Sequence, residues 1–220
     1  MAASLWPRRL LVAVDASPLS QAAAAIATRL GASLGAAVEG LYVEDATLAG
    51  LVAHPEVTVV SLLHGRRHAD GRILGAALKL SQTAAQRSFE RASGSRVFHI
   101  RQGKVAAEMA AATTAEDLLV LGWHGRDAAK GSPRFGSVAR ALVEQARCPL
   151  LLIRHPLATS PRLAVLIGDA AALELARSLA GAAPVAILAR AEDASAGHIL
   201  VVRAAIEADG VGCSLLVLGR

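Results

Sequence analysis

Three stretches constrain this chain more than anything else in it: Leu10-Leu11-Val12-Ala13-Val14, Asp117-Leu118-Leu119-Val120-Leu121 and Pro149-Leu150-Leu151-Leu152-Ile153. None alternates apolar with polar. A strand with one wet face alternates. A strand covered on both faces does not, and such strands belong to parallel sheets sandwiched between helices. The sequence between these runs is helical in its spacing. Ser17 is a hydroxyl cap, and Pro18 after it needs no N–H at the first helical position. Ala22, Ile26 and Leu30 then recur on one face up to Gly31, which is expected to end the helix. Ala36–Val43 reads as a second strand running into Glu44-Asp45. Arg72–Ala92 has helical spacing, Arg96–Ile100 is a short third strand, and Val105–Ala115 and Ser137–Ala146 are helices. This alternation predicts an α/β fold, a doubly wound five-stranded parallel sheet, over residues 1–155.

Residues 46–70 carry Gly50, Pro55 and Gly65 around the apolar run Val57–Leu63, and are expected to form an excursion outside the main sheet. After a link at His155–Pro161 the pattern restarts. Arg162–Asp169 echoes Arg9–Asp15, a helix carries Leu173, Ala176 and Leu179, and Val185–Leu188 is a strand. Ile199–Ala208 reads as helical, and Ser214–Gly219 echoes Asp117–Gly122. The prediction is a second, truncated α/β copy over 162–220 with about three strands, stopping where the first copy begins its glycine loop.

Hydrophobic residues are 54% of the 220 and charged residues 19%, which fills a core and excludes a disordered chain. Aromatic residues are 3%, too few for a single-stranded nucleic-acid stacking surface, so nucleic acid is not an expected partner. The net charge of +5 is concentrated: Arg66, Arg67, Arg72, Lys79, Arg87, Arg91, Arg96, Arg101 and Lys104 are opposed locally by Asp70 and Glu90. Such a stretch is either a solvated helix face or a surface for an acidic partner. No run reaches the roughly 18 apolar residues of a membrane span, and the run after Arg9 is too short for a signal-peptide core. A cytoplasmic protein is expected, with Cys148 and Cys213 as buried thiols.

The segment richest in chemistry is Gly122-Trp123-His124-Gly125, then Arg126–Phe135, then Gly136-Ser137-Val138. It leaves a buried strand and opens a helix, which is where doubly wound sheets bind ligands. Glycines let a backbone approach an anion closely, and the first amides of the helix point at it. Arg126, Lys130 and Arg134 add positive charge. There is no G-x-x-x-x-G-K-[S/T], no G-x-G-x-x-G after the first strand and no G-x-S-x-G. His64 and His68 have the spacing of two ligands on one helix face, but Arg66 and Arg67 lie between them and no third ligand follows, so no metal site is expected.

Val12-Ala13-Val14-Asp15-Ala16-Ser17, Leu41-Tyr42-Val43-Glu44-Asp45, and Gly122-x-His124-Gly125…Gly136-Ser137 followed by Cys148-Pro149-Leu150-Leu151-Leu152-Ile153 resemble, in this order, the universal stress protein family. The resemblance spans residues 8–154. It implies the sheet order 3-2-1-4-5 and a site for an adenine nucleotide: ATP, ADP or AMP, with or without Mg2+. Carried over by motif, Gly122, His124, Gly125, Gly136 and Ser137 hold phosphates through backbone N–H groups and the hydroxyl. Val138 and Ala139 continue the amide row, and Leu121 precedes the loop. Asp15 accepts from the ribose hydroxyls, Val43 meets the adenine edge, and Ala13 and Val14 line the base pocket. Asp15 is otherwise a helix-capping neighbour, and Trp123 either covers the pocket or packs as a loop aromatic. The gap Arg126–Phe135 is one residue longer than the family's usual one.

The function implied is an ATP-binding stress-response or regulatory protein with an unidentified protein partner. It is expected to form a homodimer through the apolar fifth strand, unless the second copy covers that edge. No general base, metal cluster or arginine finger is visible, so ATP hydrolysis is expected to be slow at most. The alternatives are a slow nucleotide hydrolase and a nucleotide-free interaction protein using the basic face.

Overall fold

The computed structural model describes residues 7–47, 50, 58–61, 65–68, 71–124, 136–156, 162–181, 183–202, 211 and 213–218. In chain order its elements are β1 (Arg9–Ala13), α1 (Pro18–Leu34), β2 (Ala37–Asp45), β3 (Thr58–Ser61), β4 (Gly65–His68), α2 (Gly71–Ser93), β5 (Phe98–Gly103), α3 (Val105–Ala111), β6 (Asp117–Gly122), α4 (Ser137–Gln145) and β7 (Leu150–Ile153). Then follow β8 (Arg162–Leu166), α5 (Ala170–Ala180), β9 (Ala186–Leu188), a 3-10 turn at Ala191–Asp193, β10 (His198–Val202) and β11 (Ser214–Val217).

The non-alternating runs are the buried middle of the sheet, and β7 is covered along its whole length. Successive residues go to opposite faces. Leu11, Leu119, Leu121, Leu150 and Leu152 pack with Met109 of α3 and Leu142 of α4. Leu10, Val12, Leu118, Val120 and Leu151 pack with Ile26 of α1 and Phe89 of α2. Both faces are therefore apolar, which is why the pattern does not alternate.

Among the described residues the sheet has nine strands, in the order β5-β2-β1-β6-β7-β11-β10-β8-β9. Its first five strands have the expected 3-2-1-4-5 order, all parallel, but the sheet does not stop there. β11 pairs antiparallel with β7, matching Leu150 with Val217, Leu151 with Leu216 and Leu152 with Leu215. The edge of β7, where the sequence suggests that two copies would pair, is thus occupied by the chain's own last strand. Beyond it β10, β8 and β9 run parallel to β11. β3 and β4 form an antiparallel hairpin outside this sheet, as expected of the excursion.

Three expectations are corrected. The first helix continues past Gly31 to Leu34, and Gly35, at φ 65°, is the left-handed residue that ends it. Gly31 is small for packing instead: a Cβ there would stand 2.5 Å from the Val38 side chain. Ile199 begins no helix; it lies in β10, with residues 203–208 of that stretch outside the described residues. Last, among the described residues the C-terminal region has four strands in the sheet, and β11 does not hold the place of a fourth strand. β10 stands beside β8 as β6 stands beside β1, and β11 follows β10 as β7 follows β6.

At the N-terminal end of β1, Arg9 ties three elements together. Its Nε and Nη2 donate to the two oxygens of Asp117 at 3.0 and 2.7 Å, Nη1 donates to Glu39 at 3.1 Å, and Nη2 also reaches the Ala112 carbonyl. Asp117 further accepts from the Thr114 N–H and hydroxyl. Burial pushes its carboxyl pKa up, and the hydrogen bonds from Arg9 and Thr114 outweigh this and hold it below the ordinary value. Replacing Asp117 by Asn leaves the Arg9 charge without its main partner and should cost about 2–3 kcal/mol at neutral pH. A lowered folded-state pKa stabilises above the unfolded value near 4, and that stabilisation is lost as pH falls through the folded one. In urea unfolding, the gap between parent and Asp117→Asn should therefore be constant around neutrality and shrink below about pH 4. A gap independent of pH would mean that the ion pair is not its source.

Cys148 and Cys213 are fully buried free thiols, and burial pushes the Cys213 pKa up to about 11. Among the described residues no helix is long and apolar enough to cross a membrane.

Candidate functional site

The strand order reverses between β1 and β6, and a crevice opens at their C-terminal ends. On the β1 side, the Val14 N–H donates to the Leu41 carbonyl at 2.9 Å, which carries the sheet one residue past the strand. Asp15 then accepts the Ser17 N–H at 2.9 Å through Oδ1, closing a turn in which Ala16 sits at φ 61°. That conformation is costly for a residue with a Cβ, and the Asp15 bond helps to hold it. Ser17 caps α1 as expected, accepting the Ser20 N–H at 3.1 Å. Asp15 is thus a neighbour of the cap that holds the turn before it, and a carboxylate accepting one such bond retains further lone pairs.

On the β6 side the chain must pass close to the first turn of α1. A Cβ on Gly122 would stand 2.9 Å from the Leu19 Cβ, so only glycine fits there. Trp123 follows, fully buried, and its carbonyl accepts the Gly136 N–H at 3.0 Å. This bond seats the start of α4 beside the strand end. It also corrects one expectation: the Gly136 N–H is engaged and does not join the amide row. The first bond of the helix runs from the Arg140 N–H to the Gly136 carbonyl at 3.0 Å, and Gly136 has no side chain to cap it. The amides of Ser137, Val138 and Ala139 thus precede the first intrahelical bond, in the position that makes helix starts attractive to anions.

Between these two turns lies a cleft of about 630 Å³, within the ordinary range for small-molecule sites. Ala13, Val14, Asp15, Val43, Leu121, Gly122, His124, Gly136, Ser137, Val138 and Ala139 all line it. Gly125, with Arg126, Lys130 and Arg134, lies outside the described residues. Trp123 both lines the cleft and packs in the core.

The sequence reading missed several lining residues. Ser17 comes from the cap of α1 and Ser20 from its first turn, Tyr42 and Asp45 from β2, Leu78 from α2, and Val105 and Met109 from α3. Asp45 had a signal, since it ends a strand beside Val43. Leu78 and Met109 had none, because only the crossovers bring their helices over the strand ends.

The cleft is chemically graded. One end offers backbone donors and the positive end of a helix dipole, worth about 0.3–1 kcal/mol toward an anion. The β1 and β2 side brings the carboxylates of Asp15 and Asp45, and Val43, Leu78, Val105, Met109 and Leu121 form apolar walls. Among the described lining residues none is Lys or Arg, so the positive potential they supply is that of the backbone. No cluster of potential metal ligands occurs among the described residues.

A sequence model of the universal stress protein family matches residues 7–154. The fold is similar to a universal stress protein from Archaeoglobus fulgidus, with a TM-score of 0.60 and 13% identity over 97% of this chain and 99% of that one. It is also similar to the universal stress protein UspA from Lactobacillus plantarum, with a TM-score of 0.50 and 22% identity over 69% of this chain and all of that one. At these identities the likeness is one of fold. No curated protein matches the sequence.

Proposed function

The chain belongs to the universal stress protein family, and on that premise we propose that its cleft holds an adenine nucleotide, with ATP as the leading candidate. The observation that carries this is the convergence of two turns on one space, with the uncapped amides of Ser137, Val138 and Ala139 at one end and Asp15 across from them. Phosphates lie on the amides, where backbone donors replace basic side chains. The ribose hydroxyls donate to Asp15. The base lies between the apolar walls, with its edge toward the backbone of Val43. The protein then acts as a carrier that reports nucleotide occupancy, as a regulatory module does.

The C-terminal strands are, in the same reading, a second and shortened copy of the first domain. Support comes from register. The β7–β11 pairing is symmetric about Leu151 and Leu216. The bond from the Ile167 N–H to the Leu188 carbonyl, at 2.9 Å, repeats that from Val14 to Leu41 at the same distance. The copy covers the β7 edge as a second molecule would.

Thermal denaturation with ATP, ADP, AMP, cyclic AMP and GTP tests the nucleotide assignment. ATP at 100 times its dissociation constant should stabilise the fold by about 2.7 kcal/mol, a rise of roughly 5–10 °C for a chain of this size. GTP should give less. A flat response to every adenine nucleotide removes the assignment.

A further inference from the structure

Trp123 is held on three sides. Its N–H donates to the Ile153 carbonyl at 2.7 Å, and its carbonyl accepts from Gly136 at 3.0 Å. Its ring lies beneath the guanidinium of Arg154, whose Cζ stands 4.9 Å from the ring centroid. Arg154 is itself anchored in the C-terminal strands. Its Nη1 donates to the Val211 carbonyl, and its backbone N–H donates to the hydroxyl of Ser214 at 3.1 Å, with Ser214 fully buried. One residue therefore grips both Trp123, which seats α4, and the strand that pairs with β7.

A cation over an indole face is attracted by the ring quadrupole, and more strongly where water is excluded. Arginine suits this place because its planar fork can stack and donate at once. Resting on the nucleotide reading above, we propose that Arg154 is a positioning residue for the phosphate end of the cleft, through which the C-terminal strands set the affinity for phosphate-bearing ligands. The chain of contacts is short. Arg154 fixes the Trp123 ring, the Trp123 carbonyl fixes Gly136, and Gly136 sets the direction of the Ser137, Val138 and Ala139 amides. Among the described residues no such tie joins Arg154 to the base end, at Val43 and Ala13. Removing the guanidinium must then act on phosphates and leave the nucleoside alone.

The test is calorimetric titration of the full chain with ATP, AMP and adenosine, on the parent, Arg154→Ala and Arg154→Lys. Arg154→Ala should weaken ATP about tenfold and adenosine less than about twofold. Arg154→Lys keeps a charge over the ring but loses the planar fork, so it should weaken ATP by about threefold and leave adenosine unchanged. Trp123 is one of two tryptophans, so in a Trp6→Phe background its emission reports the loop directly. Emission should shift to the red in Arg154→Ala. Equal weakening of ATP and adenosine, or no weakening at all, overturns the proposal while leaving the nucleotide assignment standing. Failure of the parent to bind any of the three ligands overturns both. If Arg154→Ala does not fold, Arg154→Lys carries the same comparison. Its ATP-to-adenosine affinity ratio must fall below the parent's, and an unchanged ratio rejects the positioning role.

Discussion

Replacing Ser137 by proline should weaken ATP binding by about 10- to 100-fold and leave the unliganded protein as stable as the parent. The size follows from what is removed from the proposed phosphate site: an amide and a hydroxyl, where a hydrogen bond to a charged group is worth about 1.5–3 kcal/mol. The neutrality toward folding follows from local geometry. Ser137 is the first residue of α4, so its N–H has no partner within the helix, and proline is favoured at that position. The residue before a proline must avoid the helical region, and Gly136 already sits at φ −62° and ψ 157°. Adenosine has no phosphate and should bind the variant as it binds the parent. Calorimetry with both ligands, beside a melting curve of the free protein, distinguishes the outcomes. An unchanged ATP affinity would mean that the amide row is not where the phosphates lie.

Leu216→Ala should have the larger effect on stability, about 3–4 kcal/mol. Leu216 is 2% exposed, and its partner across the β7–β11 ladder, Leu151, is 1% exposed. Shortening it leaves a void where the N-terminal and C-terminal strands meet. With a urea slope of about 2–3 kcal/mol/M, the midpoint should fall by roughly 1–2 M. Ile167→Ala is the control, because that side chain is 72% exposed and its removal should move the midpoint little. If Leu216→Ala matched Ile167→Ala, the β7–β11 pairing would contribute nothing to the fold. That would also withdraw the physical basis for coupling through Arg154, since Ser214 and Val211 reach Arg154 only if β11 is docked on β7.

Much of this molecule is written in local patterns. Runs such as Leu118–Leu121 can be satisfied only by burial on both faces, so a parallel sheet under helices follows from them without any long-range information. Ser17-Pro18 and Gly136-Ser137 encode helix starts in the same local way. Because ligand sites in doubly wound sheets lie at strand ends beside such starts, the glycine loop and Ser137 could be named before the shape of the cleft was known, whereas Ala13, Val14, Asp15 and Val43 were named from the family resemblance. Other features are not local. Ile199-Leu200-Val201-Val202 is an apolar run short enough to serve as a strand or as a buried helical turn, and its β-branched residues only tilt the choice. Pairing with β8 and β11 settles it. Nor does anything near Leu78 or Arg154 in the chain mark them as neighbours of the cleft. Leu78 reaches it because a crossover lays α2 over the sheet. Arg154 meets Trp123 because Ile153 lies opposite Gly122 in the parallel β6–β7 pair, and it is anchored on Ser214 and Val211 because β11 runs antiparallel to β7, an arrangement that depends on burying the β7 edge and that no short stretch of sequence can specify.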